Sequence, residues 1–178
     1  MRTGTGIAFY KFDPDKPLLL AGVTLTDFTG LSGNNDSDIL SHVVCDAVLG
    51  AAGLGGMSQQ FDESDSKYRD IKSIKLLELA RIKLEKLSLE VVNLDIILVA
   101  KDFDLANFRT MITVNLQHAL LLENGSVSLK TAPSIYPLIS FKIDGMAALA
   151  TCSVTEVYED DEGNGFDRDE ENGEDYYE

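Results

Sequence analysis

The chain has 178 residues, and 44% of them are hydrophobic, which suits one domain with a buried core. Its formal net charge of -15 argues against nucleic acid and anionic membrane surfaces as partners, because both attract clustered Lys and Arg. No apolar run approaches the roughly 20 residues that span a bilayer. Only two cysteines, Cys45 and Cys152, are present, so we expect no disulfide framework and a reducing, cytoplasmic location.

The acidic residues are unevenly distributed. Residues 159–178 contain eleven of the thirty acids, one Arg and no aliphatic side chain. Such a segment buries too little apolar surface to offset the entropy lost on ordering. We therefore expect a folded domain at residues 1–158 and an acidic disordered tail at residues 159–178. The tail is either a tether for a basic partner or a simple solubilising segment.

The first half of the chain predicts two strands and a helix. Residues 3–12 are rich in β-favouring side chains, and an apolar run at 18–25, preceded by two prolines, predicts the second strand. Residues 30–37 are typical of a loop. Asp38 is a suitable N-cap for a helix over residues 38–52, whose apolar positions recur at helical spacing.

The second half predicts further strands and helices around one sheet. The helices are expected at 71–86 and 105–122, and the strands at 89–100, 126–132 and 145–158, with irregular chain at 57–70 and 133–137. The strand at 89–100 is apolar on both faces, which indicates an interior position. The mixed order predicts an α/β (α+β) fold, with a single mixed sheet and about three helices packed on one side.

Three polar side chains on the first helix are candidates for chemistry. Asp38, His42 and Asp46 follow one another at intervals of four residues and share one face of the helix. A His between carboxylates is either a metal ligand or general base, or part of a solvated helix face with a capping Asp. Cys45 lies among apolar residues and is expected in the core. The second histidine, His118, has no acidic partner that would complete a catalytic triad.

The order of these motifs resembles a known enzyme family. The chain combines a Gly-x-Gly strand start, an Asp-x-Asp loop, a helix with His and Asp four apart that ends Leu-Gly-Ala-Ala, a Phe-x-Glu segment and a Lys-Thr-Ala turn. This pattern is similar to 2-C-methyl-D-erythritol 2,4-cyclodiphosphate synthase of the non-mevalonate isoprenoid pathway. The likeness extends over residues 1 to about 158 and needs no gaps across residues 35–55.

The resemblance implies a homotrimer with active sites between subunits and an apolar cavity on the threefold axis. The chain would be one synthase-like subunit of that trimer. The resemblance also implies bound zinc and a second divalent cation on the diphosphate of the substrate. The implied reaction is an intramolecular attack of a phosphate on a diphosphate, which releases CMP. The reaction class is that of a phosphorus-oxygen lyase.

The same resemblance shows that several functional positions have changed. It places zinc on residues 8, 10 and 42, but Ala8 and Tyr10 replace the Asp and His, so only a vestigial ligand, His42, is left of three. Zinc binds three or four donors, so we expect no cofactor, or zinc and magnesium if the chain is active. Three further lost positions are Asn34, Gly56 and Ile135. No catalytic residue set is intact.

Other positions keep the family's residue type, by resemblance only. The retained substrate-binding candidates are Asp36, Asp46, Phe61, Glu63, Ala100 and Lys142. Lys142 stands where an Arg faces the axial cavity. Asp104 stands where a phosphate-contacting Lys is expected, which places a negative charge near a diphosphate.

Three functional hypotheses follow from this pattern of loss and retention. The first is a catalytically inactive relative of the synthase that acts as a scaffold or interaction subunit, as a homotrimer or in mixed trimers with an active paralogue. The second is an active synthase with altered metal ligands. The third is a binder of isoprenyl diphosphate or nucleotide, with Lys142 as the anion contact.

Overall fold

The computed structural model describes residues 1–33, 36–62, 64–100, 103–132 and 144–157. Several predictions lie outside the described residues and are not tested. They concern Asn34, Glu63, Ile135, Lys142, the loop at 133–137 and the tail at 159–178.

In the described parts of the chain, five strands form one mixed sheet. They are β1 (Arg2–Leu20), β2 (Val23–Leu31), β3 (Leu89–Val99), β4 (Val127–Ala132) and β5 (Gly145–Glu156). Their order is β2-β1-β5-β3-β4, with β3 and β4 parallel and the other neighbours antiparallel. β3 lies between β5 and β4, which confirms the interior position expected for residues 89–100.

The predicted boundary between the first two strands is wrong. β1 continues through the prolines to Leu20, with a register shift between Asp13 and Leu18, and its two halves pair with different strands. The turn lies inside the apolar run, at Ala21 and Gly22, and both residues have positive φ. Two-residue hairpins require such φ values. The prolines lie at the irregular stretch, where the ladder needs no N–H from them.

Four helices are present in the described chain, one more than the three expected. They are α1 (Ile39–Ala51), α2 (Met57–Gln60), α3 (Ser73–Glu85) and α4 (Arg109–Leu120). α2 is a single turn in the stretch predicted to be irregular. α4 begins later than predicted, because Asp104 Oδ1 accepts a bond from the Ala106 N–H and holds a turn there. None of these helices is long and apolar enough to cross a membrane.

Within the described residues, the helices cover one face of the sheet. α1 packs on β1, β3 and β5, while α3 and α4 extend this helical layer over β3 and β4. On the other face, Ile7 and Phe9 are 67% and 43% exposed. Ile7 is in register with Leu149 and Ile97, and Phe9 with Ala147 and Val99. These two apolar rows, which contain Ile7, Phe9, Ile97, Val99 and Leu149, are called the open sheet face below. The fold class is as predicted.

Candidate functional site

The strand β1 places alternate residues against α1. A Cβ added at Gly4 would lie 2.1 Å from the Ala47 carbonyl oxygen, and one at Gly6 would lie 2.0 Å from that of Val43. Because side chains alternate along a strand, Ala8 and Tyr10 face α1 as well. Both pack against the core. The close approach of strand and helix brings these two residues to the end of α1 that carries His42.

Hydrogen bonds hold His42 at both ring nitrogens. Its Nδ1 bonds the Tyr10 hydroxyl, and its Nε2 lies 2.9 Å from Ser73 Oγ. The Ser73 hydroxyl also bonds Asp36 Oδ1, and the Ser73 backbone N–H donates to Asp36 Oδ2 at 2.9 Å. His42 is only 7% exposed and Ser73 is fully buried. The result is a continuous chain of hydrogen bonds, Tyr10–His42–Ser73–Asp36, called the four-residue chain below.

The Asp36 carboxylate, at one end of the four-residue chain, determines which atom donates in each hydrogen bond. The Asp36 carboxylate only accepts, so the single Ser73 hydroxyl proton goes to it. Ser73 Oγ must then accept from His42 Nε2–H. In a neutral imidazole the other ring nitrogen carries no proton, so Nδ1 accepts from the Tyr10 hydroxyl. For a neutral His42, these bonds therefore assign the Nε2–H tautomer.

These residues do not fit a zinc ion. Zinc needs a free lone pair from each of three or four donors. Ala8 offers no donor, and the Nδ1 lone pair of His42 accepts the Tyr10 hydroxyl. Within the described residues, no three His, Cys, Asp or Glu side chains are grouped to hold a metal.

Asp38 makes hydrogen bonds that stabilise the fold. The residue is fully buried, and its carboxylate accepts from the backbone N–H groups of Ala21, Gly22 and Ser41 and from the Ser41 hydroxyl. Burial raises the pKa of Asp38 to about 6, although these hydrogen bonds oppose the shift. Asp38 thus caps α1 as predicted, and it also fixes the β1–β2 turn.

Asp46 also bonds the backbone. Its Oδ1 accepts from the Met57 N–H at 2.6 Å, at the start of α2. A Cβ at Gly56 would lie 3.1 Å from the same oxygen. Asp38, His42 and Asp46 thus diverge to three different partners. The solvated-face interpretation of these three residues is wrong, since Asp38 and His42 are buried and Asp46 is half-buried.

Two other substrate-binding candidates are buried among hydrophobic residues. Phe61 is 2% exposed and packs edge-to-face on Tyr68, with Lys83 Nζ 5.5 Å from its ring centre. Ala100 is 4% exposed at the end of β3. Their roles in substrate binding stay predictions. Asp104 lies in the turn before α4.

Sequence reasoning missed the part played by Ser73. A Ser before a periodic apolar segment signals a helix start, and α3 does begin there. Ser73 bonds His42 and Asp36, which are 31 and 37 positions away in sequence, and no local pattern indicates such contacts.

The two cysteines lie in the core. Cys45 is fully buried as predicted, and burial raises the pKa of its thiol. Cys152 is buried too, with its pKa raised to about 11.

Comparison with known proteins identifies the family. The model of the YgbB family matches residues 1–155. The chain belongs to this family. It is 39% identical, over 85% of its length and 97% of the relative, to the 2-C-methyl-D-erythritol 2,4-cyclodiphosphate synthase of Desulfatibacillum aliphaticivorans. The resemblance stated from the sequence motifs is therefore confirmed at the level of the family.

Solved structures agree with the YgbB fold. The bifunctional IspDF from Campylobacter jejuni matches with a TM-score of 0.78 and 32% identity, over 87% of this chain. The match spans 42% of the bifunctional protein, so this chain corresponds to one part of it. A 2-C-methyl-D-erythritol 2,4-cyclodiphosphate synthase bound to CDP matches with a TM-score of 0.76 and 23% identity, over 86% of this chain and all of that one.

Proposed function

We propose that this chain is a non-catalytic assembly subunit of the YgbB family that does not perform the metal-dependent cyclisation. The observation that carries this proposal is the donor set around His42. Position 8 has a methyl group and position 10 has a phenol that bonds His42. Metal ions in phosphoryl chemistry neutralise and position phosphate oxygens, which requires several ligands to hold them. The described residues around His42 do not supply those ligands.

The open sheet face supports the assembly role. Contiguous apolar patches on a soluble protein mark surfaces that bind another protein. The rows at Ile7 and Phe9 each cross three neighbouring strands, β1, β5 and β3. We propose that three chains pack these faces together, as a homotrimer or as a mixed trimer with an active paralogue. Both cysteines are free and buried, which suits a cytoplasmic location.

The active-synthase alternative rests on a specific observation too. The relative at 39% identity carries the synthase name, and Asp36, Asp46 and Phe61 keep the residue types that the family uses. In this reading other ligands replace positions 8 and 10. An activity measurement on the purified chain distinguishes the two proposals, whereas sequence similarity does not.

The purified chain is expected to release no CMP from 4-diphosphocytidyl-2-C-methyl-D-erythritol 2-phosphate when zinc and magnesium are present. The physical reason is the missing ligand set around His42. CMP release is followed by chromatography, with the Desulfatibacillum aliphaticivorans relative as the positive control. Turnover well above the no-enzyme rate would overturn the non-catalytic proposal and favour the active synthase.

Ile7→Glu is expected to convert a trimer into a monomer. The Ile7 side chain is 67% exposed in the single chain, so a charge there does not destabilise the folded subunit. The charge would destabilise the assembly, because it would be buried between subunits. Met111→Glu is the matched control, since Met111 is 55% exposed on α4, in the helical layer on the other side of the sheet. Light scattering coupled to gel filtration measures the mass. A wild-type monomer, or an Ile7→Glu trimer, contradicts the assembly role.

A further inference from the structure

We infer that the Tyr10 hydroxyl takes the place of a metal ion on His42, and that the four-residue chain holds this junction together without one. The inference concerns how the site is built. It rests on the same donor set as the proposed function, but it makes a separate claim about metal uptake and stability.

The first step is the position of the four-residue chain in the fold. Tyr10 lies on β1, His42 on the first turn of α1 and Ser73 at the start of α3. Asp36 lies in the loop between β2 and α1. The four side chains therefore connect three parts of the chain that are distant in sequence, namely β1, the loop that runs into α1, and the start of α3. Structural metal ions join distant segments in the same manner.

The second step is the balance of donors and acceptors. Each bond along the four-residue chain joins a donor to an acceptor, and the chain ends at the Asp36 carboxylate. His42 and Ser73 are almost completely buried, so losing a partner would leave a polar atom without water to replace it. A metal on Nδ1 would have to displace the Tyr10 hydroxyl and would find no second ligand at Ala8. The chain therefore favours metal-free His42.

The matched test removes one oxygen atom. Tyr10→Phe keeps the ring and deletes the hydroxyl, so His42 Nδ1 loses its donor. We expect the folding equilibrium constant to fall roughly tenfold in urea unfolding at neutral pH. Tyr68→Phe is the control, because Tyr68 is half-buried against Phe61 and its hydroxyl makes no hydrogen bond within the described part of the chain. It should change the constant less than twofold.

Three further measurements, of nitrogen-15 spectra, melting temperature and zinc content, distinguish a specific role of Tyr10 from general packing. Nitrogen-15 spectra of His42 should show a neutral ring with its proton on Nε2 in the wild type, and a changed Nδ1 shift in Tyr10→Phe. Zinc should leave the wild-type melting temperature unchanged, and desalted protein should retain far less than one zinc per chain. The double variant with Ala8→Asp and Tyr10→His adds two donors beside His42 and should retain one zinc per chain.

The result that overturns the inference is wild-type protein that retains one zinc per chain and loses it in His42→Ala. Equal stability of Tyr10→Phe and Tyr68→Phe would also overturn it. Neither result depends on CMP release or on oligomeric state. The proposed function can therefore fail while this inference holds, and the reverse is also possible.

Discussion

Gly6→Ala is expected to destabilise the fold by about 3 kcal/mol or more, whereas Gly50→Ala should stabilise it by about 0.5–1 kcal/mol. A Cβ at Gly6 would lie 2.0 Å from the Val43 carbonyl oxygen and 2.9 Å from its carbonyl carbon. Both atoms belong to the α1 backbone, so no side-chain rotation relieves the clash. The strand must move away from the helix, and the core between them opens.

Gly50 is the matched control for the same chemical change. It lies in the last turn of α1, and an added Cβ there meets no atom within 4 Å. Alanine is favoured over glycine inside a helix because it loses less backbone entropy on folding. Urea unfolding with a common slope measures both variants. A Gly6→Ala protein as stable as the wild type would contradict the tight packing of β1 on α1.

The regular parts of the fold could be predicted from sequence because they have local signals. The helical spacing of apolar residues after Asp38 located α1 to within a residue at each end. The double-sided apolar run located β3, which lies between β5 and β4 although its Ile97 and Val99 belong to the open sheet face. The β1–β2 turn could not be placed, because its sequence is Ala21-Gly22 and the carboxylate that holds it belongs to Asp38, sixteen residues away.

The site was harder to predict for a related reason. The motif order identified the family and drew attention to Ala8, Tyr10 and His42. It described Tyr10 only as a lost ligand, whereas in the fold it is a hydrogen-bond donor to the retained histidine. Residue identity shows which donor is missing, but the replacement contact depends on how close β1 approaches α1. That distance is set by Gly4 and Gly6, which allow backbone contact.

Asp38→Asn is expected to change how the stability of the protein depends on pH. Burial raises the pKa of Asp38 from 3.8 to about 6 in the folded state, so between these values the native protein binds more protons than the unfolded chain. The contribution of this group to stability is therefore fully present below about pH 4 and is lost as pH rises through about 6. The difference between the two pKa values corresponds to roughly 3 kcal/mol in the free energy of unfolding.

The informative quantity is the wild-type free energy of unfolding minus that of Asp38→Asn, measured at intervals from pH 4 to pH 7. The amide does not titrate, so other carboxylates cancel in this difference, including Asp95, whose pKa is lowered by Lys130. At neutral pH the variant should already be less stable, because one amide oxygen cannot replace two carboxylate oxygens that accept four hydrogen bonds. The difference should shrink by roughly 2 kcal/mol as pH rises from 4 to 7. A difference that is flat or grows with pH would mean that hydrogen bonds from Ala21, Gly22 and Ser41 outweigh the desolvation of Asp38.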